Sequence, residues 1–179
     1  MTQIANAYAQ GLYDLANDEG LAKQILEELS VLQTAFQEEP MFCRLLSTPE
    51  LSKEERLSVL DKSFRDQVHP YVLNFLKILT ERGYAAHFSA CCQAYRGFYN
   101  EDNGILPVSA VTAVPLTAAQ TEKLVEKLTA ITGKTVELTN RIDPDCLGGV
   151  RLDYDGKRLD GTVKNRLEGM ATLLKNTVI

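Results

Sequence analysis

The side chains best suited to chemistry cluster in one short region. Asp143, Asp145, Asp153, Asp155 and Asp160 form the carboxylate-rich part of a 179-residue chain. Hard cations want oxygen ligands gathered by a tight loop, and paired carboxylates can divide acid–base work. The spacing argues for a different use. Val150, Leu152 and Tyr154 alternate with Arg151, Asp153 and Asp155, the period of a half-buried strand, so Asp153 and Asp155 point outward. Asp143 and Pro144 open a turn, because proline fixes its own φ and disfavours helix at the residue before it. Gly148 and Gly149 supply backbone freedom where a side chain would obstruct. Asp155-Gly156 is a two-residue hairpin signal, since a type I′ turn needs φ > 0 twice. Asp160 or Thr162 is placed to cap a following helix with Val163, Leu167, Met170 and Leu174 on one stripe. These acids are therefore expected to make turns and caps, not a metal site.

The remaining reactive side chains are few. His69 and His87 are the two histidines, and neither stands with a serine, cysteine and acid at a catalytic spacing. Cys43, Cys91, Cys92 and Cys146 contain no C-x-x-C, so zinc is not expected and buried reduced thiols are. The chain is read as having no catalytic residue, no metal and no cofactor.

The elements around these residues divide by periodicity. Ile4, Ala5, Tyr8, Leu12 and Leu15 predict a first helix over about residues 3–17, closed by Gly20. Leu21, Ile25, Leu29, Leu32 and Phe36 give the second, ended by Pro40. A short helical turn follows from Met41 to Leu46. Ser52-Lys53-Glu54-Glu55 is a capping box that starts a fourth helix through Leu57, Leu60 and Phe64. His69-Pro70 opens a fifth with Val72, Phe75, Leu76 and Leu79 inside, and Gly83 ends it. A sixth runs from about Tyr84 to Asn100. The polar stretch Asn100–Gly104 reads as a hinge. Beyond it, residues 105–114 read as a strand, placed at a sheet edge or at its own start by Pro107. Thr117 and Gln120 form a second capping box, with Leu124, Leu128 and Ile131 lining the helix and Gly133 closing it. Val136, Leu138 and Ile142 mark another strand. The expected fold is α+β and mainly α: a six-helix bundle over 1–104 and a small α/β domain over 105–179.

Composition narrows the function. Net charge is −5, hydrophobic residues make 45% and charged residues 24%, as in a soluble globular protein. No run of about 18 apolar residues is long enough to span a bilayer. The first twenty residues lack a basic n-region and contain acids, so no signal or transit peptide is expected and the chain reads as cytoplasmic or as a mature organellar form. Residues 1–104 hold 9 basic and 15 acidic side chains, which argues against a phosphate-backbone contact there. Residues 105–179 hold 10 and 9. Lys157, Arg158, Lys164, Arg166 and Lys175 make the tail basic and keep a nucleic-acid or protein adaptor as the alternative reading. Tyr154 is the lone aromatic among these basic residues, so a base-stacking platform is not supported.

Several motifs together resemble a known family. Ala7-Tyr8-Ala9 with Gly11-Leu12-Tyr13, Leu46-Ser47-Thr48-Pro49, Asn74-Phe75-Leu76 with Leu79 and Glu81-Arg82-Gly83, and Ile142-Asp143-Pro144 with Gly148-Gly149 occur in that order. They are followed by Asp160-Gly161-Thr162-Val163-Lys164-Asn165-Arg166-Leu167. This pattern is similar to the delta subunit of F-type, proton-translocating ATP synthases, whose mitochondrial relative is the oligomycin-sensitivity-conferring protein. Tyr84 stands where many relatives carry Arg, and the Cys91-Cys92 pair has no counterpart in the pattern. The resemblance implies a non-catalytic stator subunit, peripheral on the cytoplasmic face of the plasma membrane or its organellar equivalent. It implies that the helical domain binds the N-terminal segments of the alpha subunits, chiefly through helices 1 and 5, and that the C-terminal domain binds the b subunits. On that footing Tyr8, Gly11, Leu12, Leu76, Ile78 and Leu79 are the expected partner-facing residues. Core packing is the competing role for Leu12, Leu76 and Leu79.

Overall fold

The computed structural model describes residues 2–47, 51–146 and 148–162. The chain divides into two compact units, with the boundary between Tyr99 and Asn100.

The first unit contains α1 (Thr2–Asp18), α2 (Ala22–Glu38), α3 (Pro40–Ser47), α4 (Lys53–Phe64), α5 (Pro70–Glu81) and all but the last three residues of α6 (Phe88–Asp102). Each boundary has a local cause. At the end of α1, Gly20 adopts φ +70°, and its N–H donates to Asn17 O at 3.0 Å while Leu21 N–H donates to Ala16 O at 2.7 Å. Gly83, at φ +74°, repeats this pair of bonds after α5, to Thr80 O and Leu79 O. Both are Schellman closures, which need a left-handed residue and so favour glycine. Pro40 does not merely stop α2; it is the first residue of α3, where a missing N–H costs nothing. The predicted capping box is present at α4: Glu55 N–H donates to Ser52 Oγ at 3.2 Å and Ser52 N–H to Glu55 Oε2 at 2.8 Å. At α5, Pro70 occupies the first turn and the His69 ring nitrogen Nδ1 accepts from Tyr71 N–H.

The six helices share one apolar core. Ile25, Leu29, Leu32 and Phe36 of α2 are all buried, as their spacing requires. Tyr95 of α6 is fully buried, and its hydroxyl donates to Ala22 O at 3.0 Å, so a large ring fills the centre without leaving its polar tip unpaired. The start of the sixth helix differs from expectation: Ala85–His87 form a 3₁₀ turn before α6 begins. The unit boundary falls at the start of the stretch read as a hinge, 100–104, but α6 continues through Asp102, so only Asn103 and Gly104 lie between it and the next strand.

The second unit contains β1 (Ile105–Thr112), α7 (Ala118–Thr132), β2 (Thr135–Ile142), β3 (Val150–Tyr154) and β4 (Lys157–Asp160), in sheet order β2-β1-β3-β4. β1 and β2 are parallel and joined through α7; the other pairs are antiparallel. β1 is thus an inner strand, which overturns one of the two placements drawn from Pro107, the sheet edge, while the proline falls near the strand's own start as the other had it. Thr135 N–H donates to Gly104 O and Asp143 N–H to Thr112 O, so even-numbered backbone groups of β1 face β2 and odd-numbered ones face β3. Pairing with β3 begins only at Val108 with Tyr154. Proline's missing donor therefore falls just past the end of that ladder, where no bond is lost.

Leu106, Val108, Ala110, Val136 and Leu152 of the sheet pack with Leu128 of α7 in a second core. The capping box at Thr117 and Gln120 and the left-handed Gly133, at φ +67°, bound α7 as expected. Ile131 is 81% exposed and does not line the helix. Thr121, Leu124, Val125 and Thr132 flank Leu128 on the inward face, and Ile131 lies about 60° off it. Ile142 is likewise exposed, ending the outermost strand.

Candidate docking surface

The carboxylate region resolves into structural uses. Asp143 Oδ1 accepts from Asp145 N–H at 3.1 Å, and Cys146 N–H donates to Asp143 O, so Asp143 and Pro144 make the expected turn. Asp155 and Gly156 take φ +46° and +68°, the type I′ hairpin. Asp153 lies 2.9 Å from Arg158 Nε and 3.4 Å from Arg151 Nε, and the Arg158 hydrogen bond holds its carboxyl below the usual range. Asp160 Oδ1 accepts from the N–H and hydroxyl of Thr162, which lowers its pKa as well. The helix predicted to follow, through Val163, Leu167, Met170 and Leu174, lies outside the described residues. Gly149, at φ +81°, is required by packing: a Cβ there would lie 2.6 Å from Gly161 O. Gly148 has φ +151°.

Among the described residues no three His, Cys, Asp or Glu side chains gather as a metal site. Cys91 and Cys92 are buried, and burial raises their thiols to about 11 and about 12, so neither is a nucleophile at neutral pH. His69 serves as a helix cap, and His87 sits beside Tyr84 with ring centroids 6.1 Å apart.

The partner-facing residues drawn from the resemblance separate into two sets. Leu12, Leu76 and Leu79 are 6%, 3% and 1% exposed and belong to the helical core, the competing role weighed for them. Tyr8 is half-buried with its ring centroid 6.0 Å from that of Tyr84, just beyond α5. Gly11 is exposed, and nothing lies within 4 Å of a Cβ built on it. Ile78 is 45% exposed on α5. Two further residues of α1 that the motif reading missed are also large, apolar and exposed: Ile4 and Leu15. Their signal was present in the spacing. Ile4, Tyr8, Gly11 and Leu15 step by four, three and four, which is one face of a helix, lying beside the buried face of Ala5, Ala9, Leu12 and Ala16. A helix needs only one such stripe to join its own core, and α1 carries a second.

The sequence profile of the ATP synthase delta (OSCP) subunit family matches residues 4–174. The chain belongs to that family. It is 31% identical to ATP synthase subunit delta of Alkaliphilus oremlandii over 98% of both chains. It is 29% identical to the same subunit of Synechococcus elongatus over 97% of both. A chain in the cryo-EM structure of the Toxoplasma gondii mitochondrial ATP synthase hexamer shares the fold, with a TM-score of 0.75, 20% identity, and coverage of 95% of this chain and 96% of that one. As a delta (OSCP) family member the chain is a structural component of an ATP synthase with a stator role in the peripheral stalk, not a catalytic subunit. The adaptor alternative finds no support in these matches. Among the described residues no helix is long and apolar enough to cross a membrane.

Proposed function

We propose that this chain ties the catalytic head of a proton-translocating ATP synthase to its peripheral stalk by gripping two kinds of partner. The six helices act as a bundle that takes the N-terminal segments of the alpha subunits, and the second unit takes the ends of the b subunits at the cytoplasmic, or equivalent organellar, membrane face. The observation that carries the first half is the exposed stripe of Ile4, Tyr8, Gly11 and Leu15 on α1, together with Ile78 on α5, on a unit whose own core is already closed. An amphipathic helix laid along such a face buries apolar area on both sides. Gly11 lets the partner's backbone come close, because no side chain stands between. A link that must hold under torque needs slow dissociation, which apolar contact of this kind supplies without any reactive group.

The test is calorimetry with a synthetic peptide of the alpha N-terminal segment and the full chain. Ile78→Glu places a charge on an exposed position and should leave the fold intact while lowering affinity at least about tenfold, roughly 1.4 kcal/mol. Unchanged binding by a correctly folded Ile78→Glu variant rules out this face as the docking site.

A further inference from the structure

The start of α5 is held by two groups that can bind protons. His69 stands just before the helix, Pro70 fills the first position, and the imidazole Nδ1 of His69 accepts from Tyr71 N–H at 3.3 Å. A helix leaves its first N–H groups without an intrahelical partner, and here a ring nitrogen does what Ser, Thr, Asp or Asn usually does. The Tyr71 ring packs edge-on against the imidazole, with centroids 4.8 Å apart. From α2, Glu28 Oε2 accepts from His69 N–H at 2.7 Å, and Gln24 Nε2 donates to Glu28 Oε1 at 3.0 Å. The backbone of His69 is therefore tied to α2, and its side chain to α5.

A histidine cap differs from the usual caps in one respect. A hydroxyl or amide oxygen accepts at any ordinary pH, whereas an imidazole nitrogen accepts only while it carries no proton. Histidine is also the side chain that ordinarily changes charge near neutral pH. With both ring nitrogens protonated, Nδ1 becomes a donor facing another donor, and a cation lies at the positive end of the helix. The charged groups around the ring do not replace the lost bond. Arg65, in the connection from α4, is turned to Asp61 at 3.5 Å, and Asp66 is exposed. Glu28 is already bonded to the His69 backbone, and that bond needs the ring in neither state. Among the described residues no ion pair reaches the imidazole.

We infer that the first turn of α5 is a proton-sensitive latch: protonation of His69 releases Tyr71 N–H while Glu28 keeps the His69 backbone tied to α2. The latch is closed while the imidazole is neutral and opens as pH falls through its titration. Val72, Leu73, Phe75 and Leu76 of the same helix are buried, so the opening is confined to the helix start. His87 is the contrast: its ring lies beside that of Tyr84 and caps no helix.

The experiment is amide hydrogen exchange by NMR on the isotope-labelled full chain between about pH 8 and about pH 5. Exchange at Tyr71 is read as a protection factor, which removes the intrinsic pH dependence of the rate, and the carbon-bound ring protons of His69 report its protonation in the same samples. Protection at Tyr71 should fall roughly tenfold as the ring protonates, the scale of a lost N-cap, while Phe75 and Leu76 change by less than about twofold. In His69→Asn the side-chain oxygen caps without titrating, so Tyr71 should hold its protection within about twofold across the range. In Glu28→Gln the loss should persist, because the ring and not the carboxylate takes up the proton. Circular dichroism confirms that both variants fold. Unchanged protection at Tyr71 while the ring titrates overturns the inference, as does a loss that survives His69→Asn or vanishes in Glu28→Gln.

Discussion

Gly149 shows how a single side chain's absence can organise a unit. Its positive φ would strain any L residue, and the space a Cβ would fill is already occupied by the backbone of Gly161 and Thr162. Gly161 N–H closes the contact by donating to Val150 O at 3.0 Å. The second unit thus depends on two backbone segments meeting face to face. Replacing Gly149 with Val should cost about 2–4 kcal/mol from overpacking and strain together. The expected result is a loosened second unit, seen as lost strand signal and early proteolysis after residue 104, with the helix content of the first unit preserved. A near-native thermal melt of this variant would show that the close approach is dispensable. The buried thiols of Cys91 and Cys92 make the opposite point: a chemically suggestive pair becomes inert once it lies inside the core.

At the scale of elements, the helices are joined by polar ties as well as by their apolar stripes. Asp61 of α4 lies 2.7 Å from Lys77 of α5 and 3.5 Å from Arg65. The Lys77 hydrogen bond is the main reason its carboxyl is held below the usual range. A carboxyl whose pKa is lower folded than unfolded adds stability above its unfolded value, near 3.9, and loses that contribution as pH falls through the folded value. Asp61→Asn should therefore lower the urea midpoint modestly at pH 7, and the gap from the unmodified chain should close as pH falls through and below the ordinary carboxylate range. A gap that persists unchanged at low pH would assign the effect to packing instead of charge. The capping boxes at Ser52 and Thr117 were readable from four-residue patterns because a cap is a local device. The inward face of α7 was not, since Ile131 and Leu124 are equally apolar and only the sheet selects between them.

For the whole molecule, the division between Tyr99 and Asn100 carries a functional consequence. The proposed docking face lies on α1 and α5, both within the first unit. A fragment of residues 1–104 should therefore fold with near-native helix content and bind the alpha N-terminal peptide within about threefold of the full chain's affinity. Folding without binding, where the full chain does bind, would mean the second unit contributes to the grip.

Much of this protein was written in its local chemistry. Helix stripes, proline starts, glycine ends, the Asp155-Gly156 hairpin and the order of the family's motifs each depend on residues a few positions apart, so the sequence by itself determined the elements and the family. Tertiary structure decided what depends on neighbours far along the chain. It put β1 inside the sheet despite Pro107, because β3 stops one residue short of the missing donor. It assigned Leu12, Leu76 and Leu79 to the core and left Ile4, Leu15 and Ile78 outside. Apolar residues on one helix look alike until the packing of the other helices determines which stripe is enclosed.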